Sequence, residues 1–398
     1  MGQVRIGVLT GGGDVPGLNS VIKSVVYRYT ELGGEVYGIR RGWEGLTHVR
    51  PGPELDTEYV RRLDRLGTRS IDRTGGTVLH TSRTNPRRMS PARLPAHLPR
   101  ERIAHLGSAD GTYDLTEVVL GNIEALGLEH LVVIGGDDTL GFARVLVDKG
   151  VRLIGIPKTM DNDVQGTEYC VGFSTAITRA KGLIDRQRTT LGSHERIGIF
   201  RIFGRDSGFS ALHTAYVTSA RCLIPEAPFD LERLTALLVE DKRLNPSRYS
   251  FVIVAEGARW TGGELPDVGE PDAFGHRRKA DVGEALADEI RQRTGEDLLV
   301  SHLTYDLRSG DPDAFDQMVG TTFANIAVDL ITQGIAGRMV AIHDGRYTHA
   351  ALPDPQLGVR KIDVARQYNA ERFRPQYAGR LGFSIWMEHA AAGSVDGR

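Results

Sequence analysis

Cysteine is nearly absent from this chain of 398 residues: Cys170 and Cys222 are the only two, and their spacing suggests no metal site. That scarcity argues against a disulfide framework and points to a reducing compartment. No apolar run approaches the roughly 18 to 20 residues of a membrane span. The opening residues pass at once into strand and loop, without the longer apolar segment of a secretory leader. An excess of charge of one sign is also missing. Lys and Arg number 49 against 51 Asp and Glu, a formal net charge of -2, so neither nucleic acid nor a membrane is drawn in by bulk electrostatics. Basic clusters such as Arg87-Arg88 and Arg277-Arg278-Lys279 read as solvated loop positions. Low-complexity tracts and short-period repeats are absent too. What remains is a cytoplasmic protein whose length exceeds one hydrophobic core and whose 40% apolar content is ample for two domains.

The stretch from Leu131 to Asp163, LVVIGGDDTLGFARVLVDKGVRLIGIPKTMDND, organises the rest. Leu131 to Ile134 and Leu153 to Ile156 are short apolar runs suited to buried parallel strands, and Thr139 to Lys149 between them is helix-compatible. Such a β-α-β unit brings the carboxyl ends of both strands to one sheet edge, where ligands of open α/β proteins bind. That edge then receives Asp137, Asp138, Asp161 and Asp163 together with Lys158. Carboxylates crowded this way repel one another unless a divalent metal, a phosphate network or a proton-transfer task accounts for them.

On either side the same alternation continues. Val4 to Thr10 is a strand that runs into Gly11-Gly12-Gly13-Asp14-Val15-Pro16-Gly17 and then a helix from Leu18 to Leu32. A glycine turn there lets backbone N-H groups approach phosphate oxygens, though it fits neither the dinucleotide fingerprint nor the Walker loop. Val36 to Arg40 is a strand, Gly42 to Leu46 a loop, and Arg73 onward a Gly-Gly turn with a short β-prone run and Arg83 in a polar loop. Pro86 to Arg102, with its four prolines, reads as an exposed connection. Helices are expected at Asp114 to Leu126, Ser174 to Leu191, Asp230 to Lys242, Ala280 to Arg293 and Ala314 to Gln333. Strands are expected at Ile197 to Phe203, Ser250 to Ala255, Leu298 to Leu303 and Met339 to Ile342. This order implies mainly parallel sheets with helices on both faces. The last 30 residues read as a C-terminal helix or arm.

In these pieces the chain resembles the phosphofructokinase family: TGGGDVPGLN (Thr10 to Asn19), SRTNP (Ser82 to Pro86), GGDDT (Gly135 to Thr139), PKTMDND (Pro157 to Asp163), SHERI (Ser193 to Ile197), FGR (Phe203 to Arg205), AEG (Ala255 to Gly257) and RSG (Arg308 to Gly310). The resemblance implies two Rossmann-like three-layer αβα domains with the active site between them. Residues 1–171 with 307–357 would hold the donor, and residues 172–306 with 358–398 the sugar phosphate. It further implies Asp161 as the base that takes the proton of the sugar 1-hydroxyl, with Thr159 and Lys158 beside it, and Asp137 as ligand of Mg2+. Gly11, Gly12, Arg83, Asp138 and Lys158 would meet the donor. Thr159, Asp161, Asp163, Arg196, Phe203, Gly204, Arg205, Glu256, Tyr305 and Arg308 would line the sugar-phosphate side. Arg196 would cross to a neighbouring active site in a homodimer or homotetramer.

Two positions bear on the donor. ATP users in this family resemble GGDGS and PGTIDND, with glycine where this chain has Asp138 and Lys158. A carboxylate beside the α-phosphate at about 4 Å costs on the order of 4 kcal/mol at an effective dielectric near 20, and the ammonium favours the phosphates that remain. Inorganic pyrophosphate is therefore the expected donor. The acceptor side departs from the family: Leu299 stands where relatives carry a phosphate-binding arginine, and RIFGR replaces EVMGR. Losing that arginine forfeits a charge-assisted bond worth roughly 1.5 to 3 kcal/mol. Either Arg201 substitutes, or Arg201 faces solvent and the acceptor differs. Fructose 6-phosphate leads, sedoheptulose 7-phosphate or another polyol follows, and a regulatory homologue with little activity is the alternative outside catalysis.

Overall fold

The alternating pattern is realised as two sheets in the computed structural model, which describes residues 4–263, 267, 268, 278, 279, 281–379 and 381. In chain order, β1 (Arg5–Thr10) leads through the glycine turn into α1 (Leu18–Glu31). There follow β2 (Glu35–Ile39), α2 (Trp43–His48), β3 (Val60–Leu63), the one-turn α3 (Arg65–Thr68) and α4 (Arg100–Ile103), and α5 (Thr116–Ala125). The central unit is β4 (His130–Gly135), α6 (Asp137–Asp148) and β5 (Leu153–Pro157). The long α7 (Phe173–Ser193) carries the chain to β6 (Ile197–Ile202), α8 (Phe209–Thr218), β7 (Arg221–Leu223), α9 (Leu231–Leu244) and β8 (Ser250–Ala255). Beyond the two-residue strands β9 (Asp267–Val268) and β10 (Arg278–Lys279) come α10 (Val282–Thr294), β11 (Leu298–His302), α11 (Tyr305–Arg308) and α12 (Ala314–Thr332). The chain then returns to β12 (Arg338–His343) and β13 (Arg346–Ala351), and goes on to α13 (Val364–Gln367), β14 (Tyr368–Asn369) and β15 (Arg374–Pro375).

The larger sheet has seven strands in the order β13-β12-β5-β4-β1-β2-β3. Its five inner strands are parallel, and β3 and β13 are antiparallel edges. Both faces are covered. Val132 and Ile134 point into one apolar cluster and Leu131 and Val133 into another, which is the period-2 placement of a strand between helical layers. All four are fully buried, at roughly 1.5–3 kcal/mol each, which is why β4 reads as a continuous apolar run. The smaller sheet, β11-β6-β8-β7, is parallel throughout.

Strand order reverses at β1 and β4: β2 lies on one side, β5 on the other. That reversal splays the connecting loops apart and opens a crevice at the carboxyl ends of the strands. The glycine turn after β1, Gly136 to Asp138 after β4 and Lys158 after β5 all lie there. Among the described residues no helix is long and apolar enough to cross a membrane.

Several local expectations are corrected. The stretch from Gly42 to Leu46, expected as loop, instead caps and opens α2, because Trp43 is buried, donates its indole N-H to the Thr139 carbonyl (3.2 Å) and meets Phe142 edge-on at 5.0 Å. The β-prone run after Arg73 pairs with no strand; side chains take its amides instead, Val78 N-H donating to Asn19 Oδ1 (2.9 Å) and Leu79 N-H to Thr77 Oγ1 (3.2 Å). The Pro86 to Arg102 connection is mostly exposed, as expected, but Pro86 and Met89 are buried in it and the Met89 amide donates to the Tyr113 carbonyl at 2.9 Å. Both antiparallel edge strands escape the sequence reading, since their polar, exposed faces carry little apolar period. Of the expected C-terminal arm, only a hairpin of β14 and β15 falls within the described residues; 380 and 382–398 lie outside them.

Candidate active site

Packing places the glycine turn first. The Gly11 amide donates to the Ile134 carbonyl (3.0 Å) and the Gly12 amide to the Ser82 carbonyl (3.0 Å), so the turn is stitched to β4 and to the loop carrying Arg83. A Cβ at Gly11 would sit 2.7 Å from the Thr139 side chain, and one at Gly13 only 1.9 Å from Arg308 Nη2. Gly11 is therefore required by close approach to Thr139, whereas at Gly13 the flexible end of Arg308 could give way. Arg308, from α11, donates through Nε to the Asp14 carbonyl (3.1 Å) and faces the Asp14 carboxylate at 3.5 Å.

Lys158 extends from the end of β5 into the same place. It is 3% exposed, and its ammonium donates to the Gly13 carbonyl at 2.6 Å. Burial, then the Arg308 charge and, more weakly, Arg83, bring its pKa down to about 7 against the pull of Asp14. An anion beside it would restore the full charge.

The acids form a second layer. Asp137 opens α6, where the positive end of the helix dipole favours a carboxylate. Burial and the charges of Asp163 and Asp138 nevertheless push its carboxyl up to about 7, and its Oδ1 is buried without a hydrogen-bond partner. Asp138 on the same turn is exposed. Asp161 also has a buried, unpartnered Oδ1, and burial, then the charges of Asp163 and Glu256, hold its pKa well above the carboxylate range while Arg205 opposes them. Asp163 is pushed up to about 6, chiefly by burial.

The loop bearing these acids is fixed from below. Asn162 is fully buried at φ 54°, donates to the Glu168 carbonyl (2.9 Å) and accepts from the Cys170 amide (2.8 Å). The Asp161 amide donates to Thr159 Oγ1 (3.1 Å), and the Ser210 hydroxyl to the Met160 carbonyl (2.7 Å). Asp316, fully buried on α12, accepts from Tyr169 Oη (2.6 Å), the Gly172 amide (2.7 Å) and both the amide and hydroxyl of Thr175 (2.8 and 2.6 Å).

Across from these lie loops of the smaller sheet. Gly204 (φ 121°) and Gly257 close them, the Gly257 amide donating to the Gly204 carbonyl at 3.0 Å. Arg205 pairs with Asp206 at 3.0 Å. Phe203 lies under the Arg308 guanidinium at 5.7 Å, and Tyr305 is 72% exposed with its ring 6.0 Å from the same group. Arg201 lies at 3.0 Å from Glu256 and 3.5 Å from Asp281, so it is taken up by these acids rather than turned to solvent. The register pairs Leu299 with Gly198 but His302 with Arg201, which puts Leu299 and Arg201 toward opposite ends of their strands.

Gly11, Gly12, Asp137, Lys158, Thr159, Asp161, Asp163 and Arg308 thus gather at one edge, Arg205 and Glu256 act on Asp161 from the other wall, and exposed Arg83 acts on both Lys158 and Glu256. Arg196 is not brought there. It precedes β6, at the opposite end of a strand that spans about 16–20 Å from Arg201 and Gly204. Asp14, Asp206, Asn162, Asp316 and Arg360 escape sequence reasoning; only Asn162, between two aspartates in a turn, carries a local signal.

A divalent cation fits this chemistry, because the orphaned Asp137 oxygen and the mutually repelling carboxyls are what a cation would relieve. Among the described residues no three His, Cys, Asp or Glu side chains are grouped to hold a metal, so water and phosphate oxygens would complete its shell.

Comparison with known proteins adds the following. The family model for phosphofructokinase matches residues 5–331. Pyrophosphate--fructose 6-phosphate 1-phosphotransferase of Amycolatopsis methanolica is 38% identical over 375 residues, covering 93% of this chain and 99% of that protein. ATP-dependent 6-phosphofructokinase 3 of Streptomyces coelicolor is 36% identical over 372 residues, covering 92% and 99%. The fold matches that of a pyrophosphate-dependent phosphofructokinase from Nitrosospira multiformis with a TM-score of 0.71 at 16% identity, over 99% of both chains.

Proposed function

The chain belongs to the phosphofructokinase family, and from that premise we propose that it transfers a phosphoryl group reversibly from inorganic pyrophosphate to the 1-hydroxyl of fructose 6-phosphate. In this reading residues 1–171 with 307–357 form the donor unit and 172–306 with 358–398 the acceptor unit. The attacking hydroxyl oxygen bonds to the terminal phosphorus, the bridging P-O bond breaks, and phosphate leaves. Asp161 takes the hydroxyl proton; its raised pKa makes it a stronger base than an ordinary aspartate once ionised. Lys158 and the Gly11 to Gly13 turn orient the donor, with Arg83 at the rim, and Arg308 neutralises oxygens beside Asp14. A Mg2+ ion held by Asp137 and donor oxygens would neutralise charge on those oxygens.

The observation that carries the donor assignment is the buried Lys158 ammonium pressed against the glycine turn. Relatives of similar identity bear both donor names, so the choice rests on Lys158 and Asp138. Purified protein with Mg2+ and fructose 6-phosphate should turn over with pyrophosphate; activity with ATP and none with pyrophosphate rejects the assignment. Asp138→Gly with Lys158→Gly should admit ATP as a measurable donor, and no gain in nucleotide binding would count against exclusion by charge and bulk. Leu299 favours a second reading, in which the acceptor is sedoheptulose 7-phosphate or another polyol. A panel of phosphorylated and free sugars separates the two.

A further inference from the structure

Arg360 is one of the largest side chains in the protein to be fully buried, at 0% exposure. Buried arginines are ordinarily paired with an acid, yet among the described residues no carboxylate lies within ion-pair distance of this one. Nη1 donates to the Thr167 carbonyl at 2.8 Å, and the guanidinium lies 4.3 Å over the ring of Phe209. Nε and Nη2 are buried with no partner. Two carboxylates exert charge on it, Asp163 and Glu168. Glu168 is committed elsewhere, each oxygen accepting an amide, from Asp344 (2.8 Å) and Gly345 (3.1 Å). Asp163 is the one that belongs to the acid-bearing loop.

The backbone strengthens the connection. The Arg360 amide donates to the Asp163 carbonyl at 2.7 Å. Two residues on, the Ile362 amide donates to Glu226 Oε1 (3.1 Å), the same oxygen that accepts from the Gly208 amide (3.0 Å). Residues 360–362 therefore tie the loop after β5 to the turn that follows β6. A cation set into such a tie, at the cost of leaving donors unpaired, is poorly explained by stability alone.

We propose that Arg360 is a positioning residue for phosphoryl transfer: it lies beneath the Asp161 to Asp163 loop, holds Asp163 in place by charge and backbone, and joins that loop to the acceptor-side turn. The inference rests on the phosphoryl-transfer reading of the loop, but not on which donor is used. Arg360 touches no reacting atom and acts through Asp163.

The test compares wild type, Arg360→Met, Arg360→Lys, Asp163→Asn and the Arg360→Met/Asp163→Asn pair, assayed with whichever donor the wild type turns over. Arg360→Met should lower kcat about 100-fold while both KM values stay within about threefold and Tm within about 3 °C. Arg360→Lys should recover at least about a tenth of the activity, and in the Asp163→Asn background Arg360→Met should cost less than about threefold more. Full activity in Arg360→Met, a kcat loss that tracks a falling Tm, or losses that simply multiply in the pair would overturn the proposal. Hydrogen exchange of amides 161–170 reads the tie without turnover. It should quicken at least about tenfold in Arg360→Met with β8 unchanged, and unaltered exchange overturns the proposal. No turnover with either donor would sink the proposed function instead, and exchange would still decide the role of Arg360.

Discussion

On the seven-stranded sheet Lys158 and the loop bearing Asp161 are anchored through backbone groups, whereas on the four-stranded sheet Arg201 and Arg205 are held by carboxylates. Lys158 rests on the Gly13 carbonyl and the Asp161 loop on Asn162, Ser210 and the Cys170 amide. Opposite them, Arg201 is taken up by Glu256 and Asp281, and Arg205 by Asp206. Backbone-held groups keep their geometry whether or not a ligand is present, which is the preorganisation that transfer of a charged group requires. Groups that satisfy each other must exchange partners when a sugar phosphate arrives. That exchange makes acceptor affinity adjustable by substitution while leaving the reaction centre alone.

The largest break in this contrast should come from Asp161. Asp161→Asn keeps shape but removes the base, and kcat should fall about 10²- to 10⁴-fold with substrate binding retained, as measured by steady-state kinetics beside calorimetric titration. Retained turnover would mean that the proton goes elsewhere. Next in size, Arg201→Ala should free Glu256 and raise the KM for the sugar phosphate about three- to tenfold with little change in kcat. A kcat effect as large as that of Asp161→Asn would erase the distinction between the two walls.

The smallest effect concerns Asp137. Its folded-state pKa is raised from the ordinary 3.8 to about 7, first by burial and then by Asp163 and Asp138. The folded protein therefore binds more protons than the unfolded one between those values, and stability falls as pH rises through that window. Asp137→Asn should raise the metal-free Tm by about 2–5 °C at pH 8 and leave it unchanged near pH 4. Thermal scans at both pH values check this, and a lower Tm at pH 8 would show that the carboxylate is stabilised in a way the buried, unpartnered oxygen does not reveal.

Much of this was legible beforehand. Apolar runs at 131–134 and 153–156 with a helix between them determine a β-α-β unit, and the acids after both strands must then share an edge. Most of the order of strands and helices follows from the same periodicity, though β7 was not expected, and the resemblance to phosphofructokinases adds Gly11 and Arg308 to the candidates Asp137, Lys158 and Asp161. The edge strands β3 and β13 were not legible, because a polar strand exposed on one side resembles loop.

Local sequence determined where the apolar inner strands end, since period and turn chemistry act over a few positions. The tertiary structure decided which charges meet. Arg201 and Glu256 are brought together by neighbouring strands, and Asp14 and Arg308 meet across most of the chain. Arg360 reaches Asp163 only on the chain's return, and Arg196 and Leu299 are set at the far end of the small sheet by strand direction and register. Such pairings depend on distances that only packing defines.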